Sequence, residues 1–369
     1  MKTRVGVIGC GNIAKAYFPT IQKFAHLDLA ACADLNAEVA KAKAAEFGVP
    51  RVLTPDRLIA DPDIDLVLNL TIPAAHAEID QAALNAGKHV FSEKPFALTR
   101  EEGLSVAAVA GQAKRRVGCA PDTVLGGGHQ TCRQLIDSGA IGRPIGFTAN
   151  MLGGGHETWH PSPEFYYEKG GGPVFDMGPY YLHALIALLG PVRRVSGSAS
   201  ITYAERTITS QPKAGKIVRV EVPTHVLALL EFADGVTGTF SMSFDLRGRH
   251  SNPCLEVYGD GGSLRVPDPN GFGGKVEISR GRDEWQEIPP THGYLENTRG
   301  LGLADLAAAL ASGRDHRANE RIALHAVDVM QAIHESSTER RWIDLTTTCK
   351  RPLPMKAGLP EFVLDEFAP

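Results

Sequence analysis

Arg4-Val5-Gly6-Val7-Ile8-Gly9-Cys10-Gly11-Asn12-Ile13-Ala14 is the stretch that decides the fold. Val5–Ile8 has the length and apolarity of a short buried strand. It breaks into Gly9-x-Gly11-x-x-Ala14, and helix-forming Lys15-Ala16-Tyr17 follows. A strand, a glycine turn and a helix in this order make the dinucleotide fingerprint. Gly9 permits the tight turn, Gly11 lets a pyrophosphate approach the backbone, and Asn12 and Ile13 open the helix. Free N–H groups and the positive end of the helix dipole then face the phosphates. A second strand, Leu27–Ala33, ends at Asp34, 20 positions beyond Ala14, where an acid is expected to accept the adenosine ribose hydroxyls. A carboxylate there repels a 2′-phosphate, and Leu35 and Asn36 offer it no guanidinium. NAD is therefore expected, with NADP less favoured.

Outward from this stretch, short apolar runs alternate with helical patterns, the signature of βαβ units and a parallel sheet. Strands are expected at Val52-Leu53, 64–70, His89–Phe91 and Val117–Cys119, with helices at Ala37–Phe47, Pro55–Ala60, Ala75–Ala86 and Arg100–Ala113. Thr71, Pro73 and His76 follow one strand, and Glu93-Lys94-Pro95 follow another. Both groups are expected to line the nucleotide crevice.

Beyond Asp122 the character changes. Thr123–Ser138 reads as a linking helix interrupted by glycines. Strand-like runs follow at 145–152, 192–203, 217–232, 236–244, 254–259 and 275–279, and Asp234-Gly235 marks a hairpin. Helices are expected at Leu301–Ala311 and Ile322–Ser336. The expected architecture is an N-terminal Rossmann domain (1–122) followed by a C-terminal domain (123–345). The second domain holds a large, mostly antiparallel open sheet with flanking helices. The proline-rich tail (346–369) reads as an arm lying on a neighbour.

The chain of 369 residues carries a net charge of −4, which gives no basic footprint for nucleic acid or anionic lipid. Six scattered cysteines without Cys-x-x-Cys suit free thiols in a reducing compartment. With no signal-type pattern and no membrane-length apolar run, a cytoplasmic protein is the expectation.

Asp176–Leu189 reads as one amphipathic helix ending at Gly190-Pro191. Positions i, i+4 and i+7 then lie within about 40° on one face, so Asp176, Tyr180 and His183 point the same way. Together with Lys94 they form a proton-handling set. Tyrosine is a poor base unless a cation stabilises its phenolate, which Lys94 can do. His183 is the rival base, because imidazole titrates near neutral pH. Asp176 orients the lysine or a substrate hydroxyl. The preceding loop holds His156, Trp159, His160, Tyr166 and Tyr167. Its aromatic rings suit stacking on sugar C–H faces, and its histidines suit hydroxyl contacts. His156 and His160 lack a further clear ligand, and no metal is expected. Asp122, His129 and Gln130 at the domain junction are additional substrate candidates.

These motifs in this order resemble the glucose–fructose oxidoreductase / inositol dehydrogenase / MocA family over nearly the whole length. The resemblance rests on the Gly-x-Gly-x-x-Ala turn, Thr71-x-Pro73 with His76, Glu93-Lys94-Pro95, and Asp176-x-Gly178-x-Tyr180-x-x-His183. It implies NAD- or NADP-linked chemistry on a secondary alcohol or carbonyl of a sugar, cyclitol or related compound. It makes Lys94 the catalytic lysine and Asp176 the catalytic aspartate, with Tyr180 where many members have histidine. It also implies a homodimer or homotetramer joined through the C-terminal sheet. His183 stands where inositol dehydrogenases tend to carry an acid, a departure that leaves the base open between Tyr180 and His183. Two other functions are compatible with these residues: an NAD-dependent glycosidase using transient oxidation, and a non-catalytic dinucleotide sensor.

Overall fold

The parallel sheet forms as expected. In the computed structural model, which describes residues 2–365, its strands are β1 (Thr3–Ile8), β2 (Leu27–Ala33), β3 (Val52–Leu53), β4 (Leu66–Asn69), β5 (His89–Ser92) and β6 (Val117–Cys119). They lie in the order β3-β2-β1-β4-β5-β6. Helices α1 (Ala14–Lys23), α2 (Ala37–Phe47), α3 (Pro55–Ala60), α4 (His76–Asn85) and α5 (Arg100–Ala113) make the crossovers. The strand order reverses between β1 and β4, so a crevice opens beyond their carboxyl ends, the usual ligand position in such sheets. β1 and β4 are almost wholly buried, which explains their continuous apolar runs.

The second half contributes α6 (Gly127–Asp137), β7 (Pro144–Leu152), α7 (Gly172–Asp176) and α8 (Gly178–Leu189). Strands β8 (Val192–Ser200), β9 (Glu205–Thr207), β10 (Ile217–Arg219), β11 (His225–Phe232), β12 (Thr237–Ser243) and β13 (Leu255–Gly259) follow. Next come β14 (Gly262–Val266), β15 (Val276–Arg280) and β16 (Gln286–Ile288), then α9 (Leu301–Ser312), α10 (Glu320–Glu339) and β17 (Ile343–Asp344). Nine strands form one sheet, β16-β15-β14-β13-β7-β12-β11-β8-β17, antiparallel except for the β7–β12 pair. Along β11, Val226, Ala228, Leu230 and Phe232 are buried, while Leu227 and Leu229 are 46% and 49% exposed. The strict alternation puts helices on one face and leaves the other open, where Leu227 and Leu229 lie among Ser196, Ser198, Thr239 and Ser241.

Several expectations need correction. The run 217–232 is two strands: β10 pairs with β9 in a separate ribbon, and β11 joins the large sheet. Pro223, with no N–H to donate, sits in the break. The glycine interruption expected within 123–138 falls at Gly126, which is extended (φ −68°, ψ 155°), and the part before it is a 3₁₀ turn ahead of α6. A Cβ at Gly126 would come within 2.3 Å of the Phe272 carbonyl oxygen. The helix ending at Leu189 is not amphipathic, since every residue of α8 is buried. It packs against both α6 and α10. Contacts also cross the expected boundary at 122. α9 returns to pack on β5 and β6, and Asn319 bridges to Gly118. As far as Asp365, the tail lies on its own chain: Phe362 packs against Phe24 and Tyr294, Met355 N–H bonds Gln130, and Arg317 bonds Asp365.

Candidate active site

The crevice is built from strand ends. Gly9 has φ +100°, and a Cβ there would lie 2.5 Å from the Leu70 carbonyl oxygen, so β1 meets the β4 loop only because residue 9 is glycine. Gly11 faces open space, with no atom within 4 Å of where a Cβ would sit. Among the described residues, the N–H groups of Gly11, Asn12 and Ile13 find no main-chain acceptor as α1 begins. Asp34 accepts from Cys10 N–H (2.8 Å) and Asn36 N–H (2.9 Å), which fixes its carboxylate at the end of β2. Leu35 beside it is 98% exposed. Orphan donors beside an open cradle and a fixed acid fit a dinucleotide's pyrophosphate and ribose.

Thr71 and Pro73 line the same edge, with Thr71 tied to Asn69 through its N–H and hydroxyl. His76 does not reach the crevice. It is fully buried, and its Nδ1 and Nε2 face the carbonyls of Pro95 (2.8 Å) and Thr71 (3.1 Å). His76 thus joins two crevice loops and supports the turn that carries Lys94. Glu93 is also buried: one oxygen accepts from the Tyr17 phenol (2.7 Å), the other from Lys94 N–H (2.9 Å). Its carboxylate holds the backbone of the lysine turn.

Lys94 then crosses to the second domain. Its Nζ donates to Asp176 Oδ1 and to the Asp176 carbonyl, both at 2.8 Å. The carbonyl is free for a specific reason. Pro179 lacks an N–H, so the helix breaks after Asp176, and α8 starts afresh with proline in its first turn. Tyr180 N–H turns to Met177 O, and the Asp176 oxygen that a continuous helix would have used accepts the ammonium instead. Asp176 and Tyr180 therefore sit on successive helices, a correction to the single shared face.

Burial alone would lower the Lys94 pKa, but the charge and hydrogen bond of Asp176, with Tyr180 and Glu93, together outweigh it and hold the ammonium above its ordinary value. Burial likewise pushes the Asp176 carboxyl up. Lys94, with help from His156, overrides this and keeps it well below the usual carboxylate range. His156 Nε2 lies 3.3 Å from Asp176 Oδ2. The Tyr166 ring stacks on His156 at 3.8 Å, and burial with the nearby Asp176 charge raises its phenol to about 12. Lys94 Nζ stands 5.2 Å from the Tyr180 ring centroid. Lys94, Asp176, Tyr180, His156 and Tyr166 thus gather at one place.

Other expected residues do not join them. His183 is buried, its Nδ1–H donating to Pro179 O at 2.8 Å, and burial lowers its pKa to about 4. Among the described residues its other nitrogen finds no partner, and no hydrogen bond or ion pair there joins it to Lys94, Asp176 or Tyr180. Asp122 accepts from Gly300 and Gly302 N–H (2.8 and 2.9 Å) at the start of α9, and burial raises its carboxyl to about 6 against those bonds. It caps a helix. His129 and Gln130 bond main-chain groups of other segments. Tyr167 is core, its phenol bonded to Glu157. His160 lies outside the cluster on Asp176, with its ring against Trp159, Phe165 and Tyr166. Among the described residues no three His, Cys, Asp or Glu side chains come together as metal ligands.

Sequence reasoning missed Arg299. Its guanidinium donates to Asn297 and Asn270 and stands beside Tyr180; burial would lower its pKa, but Tyr180, Asp122 and Glu93 together hold it above its ordinary value. The one local signal was an arginine in a polar turn directly ahead of the apolar run of α9.

Residues 3–120 match the oxidoreductase family with an NAD-binding Rossmann fold, and residues 129–265 match the GFO/IDH/MocA C-terminal domain. The chain belongs to the GFO/IDH/MocA family of NAD-binding oxidoreductases. It is 26% identical to a D-xylose dehydrogenase of Paenarthrobacter nicotinovorans over 314 residues, 79% of each chain. It is 29% identical to a 1,5-anhydro-D-fructose reductase of Ensifer adhaerens over 71% of this chain and 74% of that one. A dTDP-3,4-didehydro-2,6-dideoxy-alpha-D-glucose 3-reductase of Saccharopolyspora spinosa is 34% identical, over 53% of this chain and 59% of its own. A levoglucosan dehydrogenase solved with NADH and levoglucosan shares the fold, with a TM-score of 0.80 at 24% identity over 94% of this chain and 99% of that one.

Proposed function

We propose that the chain moves a hydride between NAD and a secondary alcohol or carbonyl of a sugar, cyclitol or sugar derivative, with Tyr180 and Lys94 handling the proton. One observation carries this reading: the Lys94 ammonium, anchored on Asp176 at the crevice edge, lies over the Tyr180 ring. When bound, the nicotinamide supplies the two-electron acceptor. The protein's share is to hold the substrate hydroxyl within hydrogen-bond reach of the Tyr180 oxygen, which takes the proton as the C–H bond breaks. Tyr180 enters this step as the phenolate, supported by Arg299 at that oxygen and Lys94 over the ring, and leaves it as the neutral phenol; in the reduction direction it gives the proton back to the carbonyl oxygen. Asp176, held ionised, keeps Lys94 in place. The relatives named for xylose, anhydrofructose and levoglucosan support a carbohydrate-like substrate.

The test is a screen of purified protein with NAD against aldoses, cyclitols, anhydrosugars and glycosides, followed at the NADH absorbance. Cofactor binding without turnover across the panel refutes the reading. Sugar release with no net NADH points to the glycosidase alternative.

A further inference from the structure

The loop between β7 and α7 carries a chain of rings that starts at the site and runs out to solvent. His156, on Asp176, stacks on Tyr166; Tyr166 lies 4.0 Å from Phe165. His160 stands 5.4 Å from Tyr166, 5.5 Å from Phe165 and 5.4 Å from Trp159, which is also 5.2 Å from His156. The inner rings are partly buried, whereas Trp159 is 62% and Phe165 48% exposed. Two large aromatic surfaces left in water on one segment require an explanation.

Looseness of the loop does not supply one. Glu157 is buried against Arg206 (2.7 Å) and the Tyr167 phenol, and Ser210 Oγ donates to the carbonyls of His160 (2.6 Å) and Glu157 (3.2 Å). Lys213 pairs with Glu164 beside Phe165. The rings are therefore held on a fixed support and are preorganised for a partner.

We propose that Trp159 and Phe165 form a subsite for the second sugar ring of a disaccharide or glycoside whose first ring reacts at Lys94 and Tyr180. The proposal rests on the carbohydrate reading of that site. A single reacting ring reaches His156 and Tyr166. Trp159, one ring beyond His156, is left for the neighbouring unit, whose C–H face suits a flat, exposed indole while its hydroxyls stay in water. Continuity with the catalytic carboxylate favours this occupant over a second protein chain.

The test compares disaccharides and 4-nitrophenyl glycosides of glucose, galactose and xylose with the parent monosaccharides, using wild type, Trp159→Ala and Phe165→Ala. Wild type is expected to show kcat/KM at least about tenfold higher for a two-ring compound. Trp159→Ala should lower that value at least about tenfold more than the monosaccharide value. Titration of the NAD-bound protein with the same compounds, read by tryptophan fluorescence, gives binding without turnover. Quenching by a two-ring compound that is lost in Trp159→Ala supports the subsite even if nothing is oxidised, in which case only the redox reading fails. Equal losses on both substrate classes, no two-ring preference in either assay, or a Trp159→Ala variant that dissociates from an oligomer to a monomer overturns the proposal.

Discussion

Replacing Lys94 by methionine tests the centre of the site in two independent ways. The substitution keeps the stem and removes the ammonium, so the Asp176 carboxylate, only 13% exposed, loses its strongest partner and keeps His156. Breaking a buried pair from one side costs about 3–5 kcal/mol, and urea unfolding at pH 7 should show a loss of that order. The pH dependence has a definite sign. In the wild type the Asp176 carboxyl is held below its ordinary value, so its stabilisation is present above the unfolded pKa of 3.8 and is lost as pH falls through the lower folded value. Without Lys94, burial dominates and raises the carboxyl. The variant then regains stability as pH drops and Asp176 takes up a proton. The difference between the two proteins should be largest at neutral pH and narrow toward pH 4. Turnover should fall by a factor on the order of 10² or more, while NAD affinity, set by the Gly9–Ile13 turn and Asp34, changes little. A pH-independent stability gap would refute the electrostatic account of the pair, and near-normal turnover would remove Lys94 from the chemistry.

Further outcomes follow from the same geometry. NAD should bind at least about tenfold tighter than NADP, ~1.4 kcal/mol, and Asp34→Ser with Leu35→Arg should move preference toward NADP; equal affinities in a titration of the wild type would sink the role given to Asp34. Tyr180→Phe should lower kcat on the order of 10²-fold with little change in folding. His183→Ala, which empties a buried position, should show mainly in thermal stability, and the opposite pattern in the two variants would make His183 the base. The open face of the large sheet, with Leu227 and Leu229 exposed, should pack in a homodimer or homotetramer. Light scattering should then give a multiple of the 39.5 kDa chain mass, and Leu227→Arg with Leu229→Arg should reduce it.

The sequence by itself determined the elements whose signals are local. Gly9, Gly11 and Asp34 were legible because a tight turn and a ribose-binding acid require fixed residue types at fixed spacing. The run 217–232 was legible as strand, but its division at Pro223 and the half-covered alternation of β11 came from the structure. Lys94 and Asp176 could be named because each stands at the end of an apolar element. Their contact could not, since it joins residues 82 positions apart. Gly178-Pro179 reads in the sequence as part of one continuous helix; only the packed structure showed that the helix breaks there and leaves the Asp176 carbonyl for Lys94. Likewise, no local pattern separates a histidine on an exposed helix face from one enclosed on all sides. His183 lies in α8, packed between α6 and α10, with its Nδ1–H on Pro179 O, and His156 is brought onto Asp176 by a loop anchored through Arg206 and Ser210. Arg299 reaches the Tyr180 phenol across more than a hundred residues of chain. Spacing along the chain carries turn chemistry and periodicity, whereas burial and long-range pairing are properties of the assembled fold.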